Sequence, residues 1–176
     1  MQHQDHVQLI RQGISASGGT WADLGSGSGA FTLALADLLG PTAQIYSVDR
    51  DSRSLQEQAR AMHAHFPAIA VEYLTADFTR KIDLPSLDGI LLANSLHFVR
   101  HKGVVLEHLH SYLRPGGSLL LVEYNADHGN PWVPYPLAYP TWENLAQQHG
   151  FRQTRLLATV PSRFLREMYA ALSIRG

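Results

Sequence analysis

The sequence contains no cysteine. That excludes a disulfide framework, a thiolate metal site and a cysteine nucleophile. A surplus of positive charge is also missing, with 14 Lys and Arg against 15 Asp and Glu. A protein that tracks phosphates needs such a surplus, so nucleic acid is disfavoured as a main partner. The histidines, 10 in all, add charge only below neutral pH. No apolar run reaches the ~18 residues of a membrane-spanning helix. No long heptad run exists, and 14 Gly with 9 Pro rule out a coiled coil. The opening Met1-Gln2-His3-Gln4-Asp5-His6 lacks the charged-then-apolar pattern of a leader. The expectation is a soluble cytoplasmic protein.

What is present fits one globular domain. The length is 176 residues, within the ~100–200 of a single domain. With 45% hydrophobic residues and a net charge of -1, disorder along the whole chain is excluded. Val7, Leu9 and Ile10 suggest a short helix over residues 2–12, and Ser15 to Gly19 reads as a small-residue linker. The expected division is 1–18, helix and linker, and 19–176, the domain proper.

From there short apolar runs alternate with helical patterns. Strands are expected at 21–24, 43–48, 70–74, 87–93 and 118–124. Helices are expected at 31–39, 52–64, 102–113 and 141–149, the last capped by Thr141. Arg114-Pro115-Gly116-Gly117 reads as a turn before the fifth strand. This alternation predicts a parallel sheet covered on both faces, hence an α/β doubly wound three-layer sandwich. The tail, 151–160 and 163–174 around Pro161-Ser162, is too closely spaced for a parallel return and predicts an antiparallel hairpin, although Leu165, Met168, Tyr169 and Leu172 also fit a helix period; the strand is preferred because a hairpin completes the sheet. Such sheets bind ligands where strands end, which singles out Asp23, Asp49, Asp77, Asn94 and Glu123.

The loop after the first strand is Gly25-Ser26-Gly27-Ser28-Gly29-Ala30. It satisfies the dinucleotide pattern G-x-G-x-x-G/A and also Asp-Leu-Gly-x-Gly-x-Gly, a nucleoside-sulfonium loop. Electrostatics separates the two. A pyrophosphate wants a helix N-terminus without a nearby anion. Asp23 suits an ammonium group better, although it could simply bond backbone amides. Asp49 ends the second strand and can accept two hydrogen bonds from ribose hydroxyls. Arg50 could stack on an adenine or remain solvated. Asp77 could accept from an adenine amino group with Phe78 lining the ring pocket; the plainer reading is a turn aspartate and a core phenylalanine.

With these residues in order, the sequence resembles the class I S-adenosylmethionine (SAM)-dependent methyltransferases. Asp23-Leu24-Gly25-Ser26-Gly27-Ser28-Gly29 is similar to the family's first motif, Val48-Asp49 to its second-strand acid, and Ala76-Asp77-Phe78 to its adenine-contact motif. Asp88 to Asn94 and Leu113 to Leu119 are similar to its fourth strand and its turn into the fifth. The resemblance implies a seven-stranded, mostly parallel sheet with an antiparallel last strand. It implies that Asp23 and Gly25, Ser26, Gly27 and Gly29 hold the methionine part. Asp49 would hold the ribose, Asp77 and Phe78 would face the adenine, and Asn94 and His97 would border the methyl group.

Asn94-Ser95-Leu96-His97 departs from the Asn/Asp-Pro-Pro-Tyr/Phe signature of amino-group enzymes acting on DNA, RNA or glutamine. No carboxylate cluster suggests a metal. A hydroxyl or ammonium acceptor needs its proton removed, and His97 stands where a base would sit. Its alternative role is structural, beside Phe98. Residues 125–142 carry Trp132, Tyr135, Tyr139 and Trp142 with four prolines, and could close over a substrate, cover the sheet or form a homodimer contact. The expected reaction is methyl transfer from SAM to the oxygen or nitrogen of a small molecule. A SAM-binding partner protein without catalysis, and an NAD-dependent oxidoreductase, stay open.

Overall fold

The computed structural model describes residues 1–176. Seven strands form one sheet: β1 (Gly19–Leu24), β2 (Ala43–Asp49), β3 (Ala70–Thr75), β4 (Leu87–Ala93), β5 (Leu113–Tyr124), β6 (Phe151–Ser162) and β7 (Arg166–Arg175). Their order is β3-β2-β1-β4-β5-β7-β6. The first five strands pair in parallel, and β7 runs antiparallel to both β5 and β6. This is the doubly wound arrangement with an antiparallel last strand that the sequence pattern predicts. Five helices cover it: α1 (His3–Ile10), α2 (Ala30–Leu39), α3 (Ser52–His65), α4 (Gly103–Tyr112) and α5 (Tyr139–Gln148). No helix is long and apolar enough to cross a membrane.

Period-two alternation divides the core into two layers. Leu120, Val122 and Tyr124 of β5 join Val7, Leu9 and Ile10 of α1, Phe31 and Leu35 of α2 and Met62 of α3. Leu119 and Leu121 of β5 join Leu106 and Leu109 of α4 and Trp142 and Ala146 of α5. The same parity decides where two acids go. Asp23, next to Ala22 and Leu24 of the second layer, faces α2. Glu123, two residues beyond Leu121, faces the α4–α5 side. Residues 76–86, between β3 and β4, form no helix.

Three local expectations need correcting. Helix α5 begins at Tyr139 with Ala138 as its cap residue and Pro140 in the first turn, so Thr141 is not its cap. Pro suits that turn because its missing N–H has no helical partner there. The N–H groups of Ala138 and Tyr139 are satisfied by Asp127 and Asn125. The hairpin turn lies at 163–165, and Pro161 and Ser162 stay in β6, paired with Glu167 and Arg166. An edge strand tolerates proline, whose missing N–H costs no ladder bond on the open side. Finally, β5 starts at Leu113, so the expected 114–117 turn lies within its span, with a register shift against β4.

Candidate active site

The strand order reverses direction at β1, with β2 on one side and β4 on the other. Doubly wound sheets leave a crevice at such a point, outside the carboxyl ends of the strands. The glycine loop fills one wall of it. The N–H groups of Gly25 and Ser26 both donate to the Val48 carbonyl, which turns the chain sharply out of β1. Gly25 has φ +76°, and a Cβ there would lie 2.5 Å from the Cβ of Ser95. Gly29 caps α2 at φ +90°, and a Cβ there would lie 2.3 Å from Gln58 Cγ. Both positions combine a left-handed backbone with a close neighbour, so only glycine fits.

A cleft of about 480 Å³ opens beside this loop, within the ~300–1,000 Å³ of small-molecule and cofactor sites. Of the sequence-derived candidates, Gly25, Asp49, Arg50, Asp77, Phe78 and Asn94 line it, together with Asp51, Ser54, Thr79, Ser95, Phe98 and Val99. Asp49 accepts from the N–H of Gly27 at 2.8 Å and of Asp51 at 2.9 Å, one to each oxygen. Each oxygen keeps a second lone pair. Asp51 caps α3 by accepting from Arg53 N, which leaves Asp49 free of that duty. Asp77 Oδ1 accepts from the Thr79 N–H and hydroxyl. Those bonds, the hydroxyl first, hold its carboxyl below the ordinary range despite some burial, and Arg80 and Arg50 add to the effect. Its Oδ2 makes no hydrogen bond within the chain. The turn role and a ligand role therefore use different oxygens. Asn94 sits at φ +53° directly after β4, and its Oδ1 is buried without a partner.

Asp23, Ser26, Gly27, Gly29 and His97 lie outside the lining of this cleft. Asp23 is buried beneath the loop and accepts from the Thr32 hydroxyl at 2.6 Å. Burial pushes its carboxyl up to about 7, the Thr32 bond opposes the rise, and the charge of Asp49 adds to it. Ser26 turns its hydroxyl away, into a network with Ser47 and the fully buried Gln58.

His97 lies on a single 3-10 turn, Leu96–Phe98, after β4. Both oxygens of Glu123 face its Nδ1, at 3.0 and 3.1 Å. Glu123 also accepts from the backbone N–H of His97 and of Tyr124, each at 3.0 Å. The carboxylate is fully buried, and these bonds satisfy it. A carboxylate can only accept, so Nδ1 carries a proton, and in the neutral ring the lone pair is then on Nε2. Nε2 has no partner and is not sealed from solvent. Aromatic rings flank the imidazole: Phe98 at 4.2 Å between centroids and Tyr124 at 5.4 Å. The structural role weighed for His97, packing beside Phe98, is therefore present, and its Nε2 is left without a partner. No group of three His, Asp or Glu side chains clusters as a metal site would require.

The 125–142 segment is anchored rather than loose. Trp142 is a core residue of α5. Tyr135 N donates to the His97 carbonyl, and Lys102 Nζ donates to the carbonyls of Val99 and Tyr135. Burial pushes the Lys102 ammonium down, opposed by the charge of Glu123. The partnership of Glu123 with His97 was missed in sequence, as was Gln58 beneath the loop. Glu123 did give one signal, a charge at the end of the apolar run Leu119 to Val122. Gln58, one polar residue among many on a helix, gave none.

The chain matches the methyltransferase domain family over residues 22–119, more than half its length. The chain belongs to this family. As a methyltransferase domain it has relatives among much larger proteins. It is 32% identical over 111 residues to the hybrid PKS-NRPS synthetase lepA of Aspergillus flavus, a match covering 60% of the chain and 3% of that protein. It is 30% identical over 111 residues to the ubiquinone/menaquinone biosynthesis C-methyltransferase UbiE of Ectopseudomonas mendocina, covering 62% of the chain and 43% of the relative. The chain thus spans under half the length of both. Its fold is similar to that of a SAM-dependent methyltransferase from Aquifex aeolicus, with a TM-score of 0.76, 19% identity, and coverage of 98% and 90% of the two chains.

Proposed function

We propose that this methyltransferase domain binds SAM in the cleft and moves its methyl group to a small-molecule acceptor whose proton His97 removes. The observation that carries the reading is the His97–Glu123 pair, placed one residue from the cleft wall formed by Phe98. The cleft fits the cofactor by its chemistry. Asp49 has lone pairs for two ribose hydroxyls, and Asp77 Oδ2 is free for an adenine amino group. Phe78 and Arg50 offer faces to the ring, and Asn94 Oδ1 lacks a partner. The loop of Gly25, Ser26, Gly27 and Gly29 brings backbone close to the methionine part, and Asp23 beneath it supplies charge for the ammonium.

When bound, SAM supplies a methyl group on a sulfonium, which leaves with the C–S electron pair remaining on sulfur. The protein then has two tasks, alignment and proton removal. Alignment alone contributes several kcal/mol, ~7–11 at the extreme. For the proton, His97 Nε2 accepts it as the acceptor atom bonds to the methyl carbon. Glu123 keeps Nδ1–H aimed and balances the imidazolium that forms, the geometry by which an oriented histidine acts as base. We place the acceptor atom on carbon rather than the expected oxygen or nitrogen, because the 30%-identical relative is by name a C-methyltransferase. A base that removes an acceptor proton serves such chemistry directly.

The cofactor reading is tested by thermal shift with SAM, its demethylated product S-adenosylhomocysteine (SAH), and NADH. Saturating ligand at about a hundredfold over Kd stabilises by about 2.7 kcal/mol, or about 5–10 °C in a chain of this size. SAM and SAH should both give this shift and NADH none. Stabilisation by NADH alone would refute the reading and favour the oxidoreductase. SAM affinity without methyl transfer to any acceptor would favour the non-catalytic partner.

A further inference from the structure

Pro134 and Pro136 flank Tyr135. Neither proline has an N–H to give, so Tyr135 supplies the one backbone donor of this stretch. It donates to the His97 carbonyl at 2.9 Å, and its own carbonyl accepts from Lys102 Nζ at 2.8 Å. The same ammonium donates to the Val99 carbonyl at 2.8 Å. Within residues 131–136 the two bonds of Tyr135 are the only hydrogen bonds that leave the 125–142 segment; those of Trp132 and Val133 stay with Asn130. The ring of Tyr135 is 40% exposed, so backbone rather than ring makes the contact with the 3-10 turn. That turn matters for the site. Phe98 and Val99 line the cleft, and His97 is the proposed base. Glu123 holds His97 from one side, through its N–H and Nδ1. Tyr135 and Lys102 hold the turn from the other, through the carbonyls of His97 and Val99. Lys102, at the start of α4, is half-buried instead of lying in water.

We infer that Lys102 is a positioning residue for the proposed methyl transfer: by tying the carbonyls of Val99 and Tyr135 together, it fixes the turn that aims His97 Nε2. The inference rests on the proposed reaction, because the aim of His97 matters only if His97 takes a proton. Lys102 itself touches neither the cofactor nor the acceptor. Its two bonds carry the charge of the ammonium and are stronger than neutral ones. A misplacement of about 1 Å at a reacting group costs about 10²-fold in rate, so a tie one turn away from the base acts on turnover. The proposed SAM-binding acids, Asp49 and Asp77, follow other strands and form no part of the tie. Cofactor affinity is therefore independent of Lys102. The roots of the segment are held separately, by Asn125 on Glu167 and by the Tyr169 hydroxyl on the Leu137 carbonyl, so the fold survives loss of the tie.

The test compares Lys102→Met, which keeps the stem but has no donor, with Lys102→Arg, which restores the donors. The first readout is amide hydrogen exchange at Tyr135, set against Trp142, whose N–H donates to the Ala138 carbonyl. Lys102→Met should speed exchange at Tyr135 about tenfold or more and leave Trp142 as in the wild type; a general loss of stability would speed both. The second readout is kinetics with an acceptor that the wild type methylates. In Lys102→Met, kcat should fall about 10–100-fold, with KM for SAM and affinity for SAH unchanged, and Lys102→Arg should restore most of both losses. Four results would overturn the inference: unchanged Tyr135 exchange in Lys102→Met, faster exchange with wild-type kcat, a parallel loss of SAH affinity, or a kcat that stays low in Lys102→Arg although slow exchange returns. Absence of methyl transfer by the wild type to any acceptor would refute the base reading itself, and this inference with it; the variant results refute the inference alone.

Discussion

At the residue scale, Asp23 makes a pH prediction. Its carboxyl is raised to about 7 by burial. Ionising it therefore costs the folded chain stability as pH rises from the ordinary carboxylate range to about 7, because the native state holds the proton longer than the unfolded one. A bound ammonium reverses the preference by favouring the charged form. SAH affinity should accordingly rise between about pH 6 and about pH 8, with a proton released on binding. Calorimetry in two buffers of different ionisation heat measures that proton, and Asp23→Asn should abolish both effects. An affinity flat across this range would show that Asp23 serves Thr32 alone. The position of Asp23 was legible because it stands at a strand end before a glycine loop. Its bond to Thr32 was not, since it depends on how α2 crosses β1. His97 and Glu123 show the same division. Each stands at a strand end, but their union across 26 positions of chain exists only once β4 and β5 lie side by side.

Among the elements, the glycine loop and α3 act together. Gln58 of α3 fills the space under Gly29 and takes bonds from Ser26 and Ser47. Gly29→Ala meets two penalties: the left-handed backbone, about 1–2 kcal/mol, and a side-chain clash of about 1–3 kcal/mol. The expected loss is about 2–5 kcal/mol in denaturant unfolding, with loss of SAH binding. Gly27→Ala has open space around its Cβ, so it should cost less stability while still hindering the cofactor. Equal stability of Gly29→Ala and the wild type would mean that Gln58 does not define the loop. The strands and α2 to α4 were legible from periodicity and glycine punctuation. The start of α5 was not, because its first N–H groups are satisfied by Asn125 and Asp127, well before it in sequence. The hairpin turn was misplaced for a related reason: Pro161 reads as a breaker unless its strand is known to be an edge.

Over the whole molecule, the proposed cofactor-binding residues and the proposed base come from different parts of the chain. Asp23 and Asp49 lie at the ends of β1 and β2 and Asp77 follows β3, whereas His97 follows β4 and Glu123 is next to the last residue of β5. All lie toward the carboxyl ends of the parallel strands, on either side of the point where the sheet order reverses. This separation gives the central claim its most direct test, turnover and SAH affinity measured together in Glu123→Gln. The substitution keeps shape but removes the negative charge that would balance an imidazolium, and its NH2 group must face a backbone N–H, that of His97 or of Tyr124. With SAM and an acceptor that the wild type methylates, turnover should fall by about 10²–10⁴, while the chain loses some stability but stays folded and SAH affinity stays near wild type. Wild-type turnover in Glu123→Gln, with SAH affinity intact, would contradict the assignment of His97 as the base.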